Sequence, residues 1–569
     1  MTPRLSRFAS LALVFLPAWA FAAEPPTRLA TSARFDLSGD VPIDHGRVVS
    51  GDGSIERMNW VAADRSRFGY TSNFRIGRLG WKPLAVAFTP EASGTVTLTL
   101  MGPWEQAPGG GVYRQEVFWD DLRIEGGSTS ADLGLESRTG WEGAGAIVTA
   151  SLHPPVAPSA PTPPASPAPP ASSGSHYACT WHDQPLAAKI AVKAGVPVTV
   201  RVQAMARTPQ GFQDMKRLTG QDTPAHRSAK KFLRGANLGN GLEVPPGQNW
   251  AVKYTVDDVK KIKAEGFDHI RIPIGWHHYT GAGPDYKLSA DIFKRVDYFL
   301  NAAHAEGLAA LINIHHFDAF TSDPAGQTPK FLAIWRQVSE HYARHPATLA
   351  YELLNESKDK GTTEVINPIF AQAVKVIRKA DPARAIVIGP GRWNSISELP
   401  ALRLPDDDDN IIATVHSYDP FFFTHQGAPW TNRGDDGKQK GIQFPGPPSS
   451  PLVPDPSLKL TPGFQSWIHQ YNTTPAGSNP SGPEVMDKAV AAVQEWSDYY
   501  GRPVYLGEFG AIMSADPKSR ANYYREFRSR LEKAGVGWAL WDWHAGFNYW
   551  DVEHDRPEPG LRDALFGRP

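Results

Sequence analysis

The stretch "LAYELLNES", residues 349–357, begins as an apolar run around one acidic residue, Glu352, and ends polar on Asn355, Glu356 and Ser357. The stretch "VYLGEFG", residues 504–510, has the same form around Glu508. A strand that reads as core yet finishes on a carboxylate fits a parallel barrel. There the apolar body packs inside, and the C-terminal end opens at a mouth built from loops. Six further runs share this character: "FLRGANLG", "HIRIPIGW", "LAALINIHH", "AIVIGPGRW", "IIATVHSYD" and "VGWALWDWH". Amphipathic segments such as "TVDDVKKIKAEG" and "KSRANYYREFRSRLEKAG" lie between most of them, several closed by a helix-stopping Gly. Eight β runs alternating with helices over residues 229–569 predict an α/β domain, a (β/α)8 TIM barrel. The unit between the fifth and sixth runs is the weakest, since "SISELPALRLPDD" holds at most a short helix. Residues 421–482, rich in Pro, Gly and aromatics, read as a long loop at the mouth.

Upstream the pattern changes. Over residues 28–208, "GTVTLTLMG" and "VPVTVRVQAM" alternate with period two between Gly, Pro and Asp, which predicts an all-β sandwich of jelly-roll type. Residues 154–173, "PPVAPSAPTPPASPAPPASS", have nothing to bury. They form either an excursion within the β domain or a linker between domains. The strand-like "AAKIAVKAGVPVTVRVQA" that follows favours the excursion. Trp81, Trp104 and Trp119 have two readings, as a stacking surface for carbohydrate or as sandwich core.

Residues 1–22 read as an export signal: Arg4 and Arg7, then the apolar "SLALVFLPAWAFA", then small residues flanking a cut after Ala22. The run is shorter than the roughly 20 residues a membrane span needs. A secreted or periplasmic protein, free of the membrane once cut, is expected. Cleavage leaves 56 basic against 59 acidic side chains, a net charge of −3. With 569 residues the chain is long enough for two or three domains. Its 58 Lys and Arg against 59 Asp and Glu argue against nucleic acid or an anionic membrane as partner. Cys179 is the single cysteine, so no intramolecular disulfide supports the fold.

Glu356 and Glu508 end the fourth and seventh runs, so a barrel places them across one mouth. Cleavage of a glycosidic bond needs such a pair: one acid protonates the departing oxygen, and the other attacks the sugar carbon or activates water. A lone Glu at a strand end reads equally well as a salt bridge or a helix cap. The other strand ends decide the matter. The first offers Asn237, the second Arg271, the third Asn313, His315 and His316, the sixth His416 and Tyr418, and the eighth Trp541 and Trp543. An arginine beside one carboxylate keeps it ionised, as a nucleophile requires. The others supply hydrogen bonds and a stacking face for a pyranose. This chemistry requires no metal and no cofactor.

The motifs "IRIPIGW", "LLNES", "HSYDP" and "YLGEFGA", each at its strand and in this order, resemble glycoside hydrolase family 5 of the retaining clan A, which includes many cellulases. The resemblance spans residues 229–569. It implies Glu356 as acid/base and Glu508 as nucleophile, with carboxyl groups about 5–5.5 Å apart. It implies that Asn355 holds the sugar 2-hydroxyl, that Arg271 and Tyr418 flank Glu508, that His315 and His416 line the cleavage subsite, and that Trp541 stacks beneath the sugar. With Asn237 these make the expected substrate-binding set. One departure is Ser357, where the family usually has Pro.

The implied protein is a secreted, monomeric, retaining endo-β-1,4-glucanase acting on a cellulose-like polysaccharide. A β-mannanase or a β-1,3-glucan-acting enzyme on the same barrel is the alternative. A noncatalytic carbohydrate-binding protein is a third reading, opposed by the intact acid pair and polar ring. Four features remain. "DDDDN" at 406–410 reads as a solvated turn more than a calcium loop. "GANLGNG" lacks the Lys-Ser/Thr of a phosphate loop. "FFFTHQGAPW" at 421–430 forms either outer sugar subsites or a packed loop core. "VFWDDLRIEGG" resembles the closing strands of carbohydrate-binding jelly rolls.

Overall fold

The computed structural model describes residues 30–39, 41–43, 46–51, 53–57, 68–103, 116–149, 171–207, 215–431 and 433–567. The candidate signal at 1–22, most of 154–173, and Trp104 lie outside them. The chain divides into two compact units, Met1–Phe212 and Gln213–Pro569.

The first unit is a sandwich of two antiparallel sheets. One is ordered Gly53–Arg57, Phe68–Gly77, Ala30–Gly39, Gly94–Met101, Leu186–Val192 and Gly127–Ser128, with Glu142–Gly143 also on Leu186–Val192. The other runs Ala146–Thr149, His176–Thr180, Val117–Glu125, Val198–Ala206, Lys82–Phe88 and Arg47–Ser50. Period-two alternation turns Val96, Leu98 and Leu100 of one sheet and Val198, Val200 and Val202 of the other into a shared core. Trp119 belongs to that core. It is fully buried and its Nε1 donates to Thr180 Oγ1 at 2.7 Å, which leaves no face for a sugar. Trp81 packs edge-on to Tyr177 in a separate cluster with Phe118 and Met205. Thr149 pairs with His176 and Ala146 with Cys179. The Pro/Ala/Ser segment therefore joins two neighbouring strands of one sheet.

The second unit is a closed parallel barrel of eight strands. Strands 1 to 8 are Arg234–Asn237, His269–Ile272, Ala309–Asn313, Leu349–Glu352, Ala385–Ile388, Ile411–His416, Val504–Phe509 and Gly537–Leu540. The helix Val256–Glu265 shows how sequence sets the elements. Thr255 and Asp258 form a capping box at its start, and Gly266, at φ 104°, ends it in the left-handed region. Between strands 5 and 6 stand a single short turn, Gly391–Asn394, and the 3-10 helix Ile396–Ala401.

The insertion 421–482 departs from the loop expected there, because it contains the helix Pro462–Thr473. Thr461 caps this helix ahead of Pro462, and Phe464, Ile468 and Tyr471 form its buried face. The start signal and the apolar spacing were present but surrounded by Pro and Gly. Within "DDDDN", Asp408 is buried and paired with Arg378 at 2.6 Å, while Asp406, Asp407 and Asp409 are exposed.

Inside the barrel the lower layer is apolar and small, with Ala309, Leu311, Ala350, Ala385, Ile412 and Ala539 around Tyr505. A cavity of about 170 Å³ lies at this N-terminal end, away from the mouth. One turn higher the inward positions become polar: Asn237, Arg271 and Glu352. Strand 7 alternates until a bulge interrupts it. Val415 pairs with Leu506, but His416 pairs with Glu508, so Gly507 has no partner in that ladder. Tyr505 points inward, and Leu506 points out against Phe527 and Leu531. Strict alternation would send Glu508 outward too. The extra residue turns it into the mouth, which is how a bulge re-aims a side chain.

Candidate active site

Arg271 is the centre of the mouth. It is fully buried, and all five of its N–H groups are engaged. Nε and Nη2 donate to the two oxygens of Glu352 at 2.7 and 2.8 Å. Nη1 donates to Asn237 Oδ1 at 2.8 Å and to Glu508 Oε1 at 2.7 Å. Nη2 also donates to Asn355 Oδ1 at 2.6 Å. Asn237 in turn donates from Nδ2 to the carbonyls of Gly507 and Leu540, both at 3.0 Å, and so pins the bulge.

Two members of the expected substrate-binding set are thereby corrected. Arg271 and Asn237 are sealed from solvent with their polar atoms committed to protein, and neither has a donor left for a sugar. They position the groups that do face the cleft. Replacing Arg271 by Met strands the Glu352 carboxylate in a dry interior. A loss of about 3–5 kcal/mol is expected, measured as a shift of the barrel's unfolding transition in denaturant. Loss of a sugar contact alone leaves that transition in place.

Glu508 accepts from Arg271 on Oε1 and from the Tyr418 hydroxyl on Oε2 at 2.9 Å. Glu356 sits at φ 49°, a left-handed conformation rare for a residue with a Cβ. Its Oε1 lies 2.8 Å from His416 Nδ1, and Glu508 Oε2 lies 3.6 Å from the same nitrogen. One carboxyl oxygen of each glutamate and a ring nitrogen of His416 lie within 4.8 Å of one another. The Glu356 side chain is 14 % exposed and that of Glu508 is 5 %, so both reach the mouth.

Burial pushes both carboxyls above the ordinary range. At Glu508 this is opposed by the guanidinium at 2.7 Å and by the Tyr418 hydroxyl. Glu356 has the more distant charges of His316, Arg271 and Lys358. Direct contact with a guanidinium and a phenol makes Glu508 the group that ionises first. Burial also holds His416 neutral, pushing it down to about 4. Among the described residues, Glu356, His416 and Glu508 are the trio with ligand spacing for a cation.

The remaining expected residues divide. Asn355 is buried, and its Nδ2 has no partner, so it can donate into the cleft. His315 lies parallel to Trp541, 5.7 Å between ring centres, and its buried Nε2 is likewise unpartnered. Trp541 is half-buried at the mouth, where Gly239 leaves it room: a Cβ there would stand 2.8 Å from the indole. Trp543 does not join the mouth. It is fully buried between Tyr549 and Trp550, with Nε1 donating to Asp258 Oδ1 at 3.1 Å.

Of "FFFTHQGAPW", Phe423 packs on Phe444, and Phe421 stacks on His425 beside Tyr418. Trp430 is 58 % exposed. The stretch is thus mostly loop core, with one free indole. At the departure from the family pattern, Ser357 Oγ donates to the Gly361 carbonyl at 2.7 Å and closes the loop after Glu356.

Sequence reasoning named two further groups, Glu352 and His316, but left both out of the expected site. Glu352, inward and two residues from inward Ala350, clamps Arg271. Its signal was an acid inside an apolar strand, which requires a buried cation. His316, at φ 47°, stands exposed near Glu356 and contributes to its electrostatics.

A pair of carboxylates at a barrel mouth, one held by arginine and tyrosine and the other by histidine, defines an acid-pair site of the kind glycosidases use. The family model described as Cellulase (glycosyl hydrolase family 5) matches residues 233–546, and the chain belongs to that family. Endoglucanase H of Acetivibrio thermocellus is 30% identical over 316 residues, covering 55% of this chain and 30% of the relative. Endoglucanase 3 of Fibrobacter succinogenes is 29% identical over 363 residues, covering 60% and 54%. The chain thus spans between about a third and about half of the length of these relatives. Among solved structures, endoglucanase Cel5A of Thermotoga maritima superposes with a TM-score of 0.52 at 34% identity, over 61% of this chain and all of that one. The cellulose synthase subunit Z of Clostridioides difficile gives 0.51 at 28%, over 59% of this chain and all of that one.

Proposed function

We propose that this chain is an exported endo-β-1,4-glucanase that cleaves β-linked glucan by double displacement with retention of configuration. The observation that carries this reading is that one oxygen of each carboxyl lies within 4.8 Å of one on the other, with a guanidinium on Glu508 and an imidazole on Glu356. In an inverting enzyme the two groups stand about 6.5–9.5 Å apart to admit a water. Glu508, ionised beside Arg271, attacks the anomeric carbon, while protonated Glu356 donates to the departing oxygen. Asn355 Nδ2 donates to the sugar 2-hydroxyl. Water, deprotonated by Glu356, then releases the glycosyl-enzyme. The endoglucanase relatives support the glucan class, and residues 1–22 support export.

A β-mannanase is the second reading, because Cel5A of Thermotoga maritima was solved with mannotriose as well as cellobiose. Reducing-end release from carboxymethylcellulose, mannan, laminarin and xyloglucan separates these substrates, with carboxymethylcellulose expected to give the highest rate. Proton NMR of the first product formed from a cello-oligosaccharide is expected to show the β-anomer before mutarotation. The α-anomer refutes the double displacement.

A further inference from the structure

Strand 5 is followed by Gly389, Pro390 and Gly391, and then by three consecutive left-handed residues: Arg392 at φ 49°, Trp393 at 60° and Asn394 at 54°. L-residues visit this region singly, so a run of three persists only when its surroundings hold it. Here Gly391 N–H donates to Thr363 Oγ1 at 3.0 Å and Trp393 N–H to the Ser357 carbonyl at 3.0 Å. Ser395 bridges to His416. The turn thus ties the loop carrying Glu356 to the strand carrying His416.

Its product is the placement of one amide. Asn394 is buried, and its Nδ2 lies 3.4 Å from His416 Nε2. Two glycines make the slot. A Cβ on Gly389 would stand 2.7 Å from the Asn394 amide, and one on Gly507 would stand 2.9 Å from His416 Nε2. A neutral imidazole carries one N–H. With Nε2 accepting from Asn394, that hydrogen is on Nδ1, aimed at Glu356 Oε1 at 2.8 Å. The acid proton of Glu356 is then on Oε2, free for the leaving group. The carboxylate left after donation keeps its hydrogen bond. In the other tautomer, Nδ1 accepts the Glu356 proton and holds it away from the sugar.

We propose that Asn394 is a positioning residue for the acid/base: it fixes the His416 tautomer and, through it, which oxygen of Glu356 holds the proton. This rests on the glucanase reading above. Asn394→Gly keeps the left-handed backbone and removes the amide, and Asn394→Asp keeps the shape but replaces the donor with an acceptor. Both are assayed as the full chain, by kcat/KM, on cellotetraose and on 2,4-dinitrophenyl β-cellobioside, whose leaving group departs without protonation. Both variants are expected to lose about 10–100-fold on cellotetraose and less than about threefold on the aryl glycoside. Equal losses on the two substrates mean a merely structural role and overturn the proposal, as do wild-type rates on both. A wild-type chain inactive on both substrates overturns the glucanase reading itself, and this inference with it.

Discussion

Glu508→Ala is expected to abolish glucan cleavage, lowering kcat by about 10⁴-fold or more, while the barrel keeps its fold. The first half follows from the absence of a substitute nucleophile. Glu356 lies within 4.8 Å but is committed to proton transfer, and Glu352 faces Arg271 with both oxygens. The second half follows from the hydrogen bonds around Arg271. Removing Glu508 frees one contact of Nη1, which retains Asn237, and the guanidinium stays neutralised by its bidentate partner. Tyr418 loses an acceptor at the half-open mouth, where water replaces it. Kinetics on carboxymethylcellulose and a thermal melt check both halves. Wild-type turnover in this variant removes Glu508 from the mechanism, and a collapsed melt makes it structural.

Glu356→Ala gives the second large effect, with a different signature. Cleavage of unactivated oligosaccharide is expected to fall by about 10²–10⁴-fold, the range supplied by a positioned proton donor. The loss on 2,4-dinitrophenyl β-cellobioside appears instead in deglycosylation, where no base remains to activate water. Added azide enters the space left by the carboxyl, needs no base, and is expected to restore turnover with formation of a β-glycosyl azide. The pH dependence follows from the same assignment. Burial raises the Glu356 pKa, and activity requires its protonated form, so kcat/KM falls as pH rises through that raised value. This alkaline limb is expected on cello-oligosaccharide, whose leaving group needs the proton, and is expected to be missing from the variant's residual cleavage of it. A variant with an unchanged pH profile and no response to azide assigns the acid elsewhere.

Much of the site was legible because barrel chemistry is written at strand ends. Asn355 and Glu356 follow an apolar run, His416 and Tyr418 follow another, and their order along the chain fixes which strand carries each. Glu352 was legible only in part. Its charge inside a strand was visible, but the identity of its cation depends on which inward residue of a neighbouring strand reaches it. Trp541 and Trp543 show the limit from the other side. Two residues apart, they read as one face, yet Trp541 lies on His315 and Trp543 packs against the helix bearing Asp258.

The sequence by itself determined the two-part architecture, the eight strands, and the two acids that end strands 4 and 7. These depend on local period and composition, which a chain carries wherever it folds. The tertiary structure alone decided the rest. One unpaired residue, Gly507, inverts the alternation and brings Glu508 inward. Five donors of one arginine are taken up by four partners drawn from strands 1, 4 and 7 and the loop after strand 4. A left-handed turn after strand 5 delivers an amide to a histidine of strand 6. Each outcome depends on neighbours brought together through space, and a hydrogen bond has no period by which a sequence announces it.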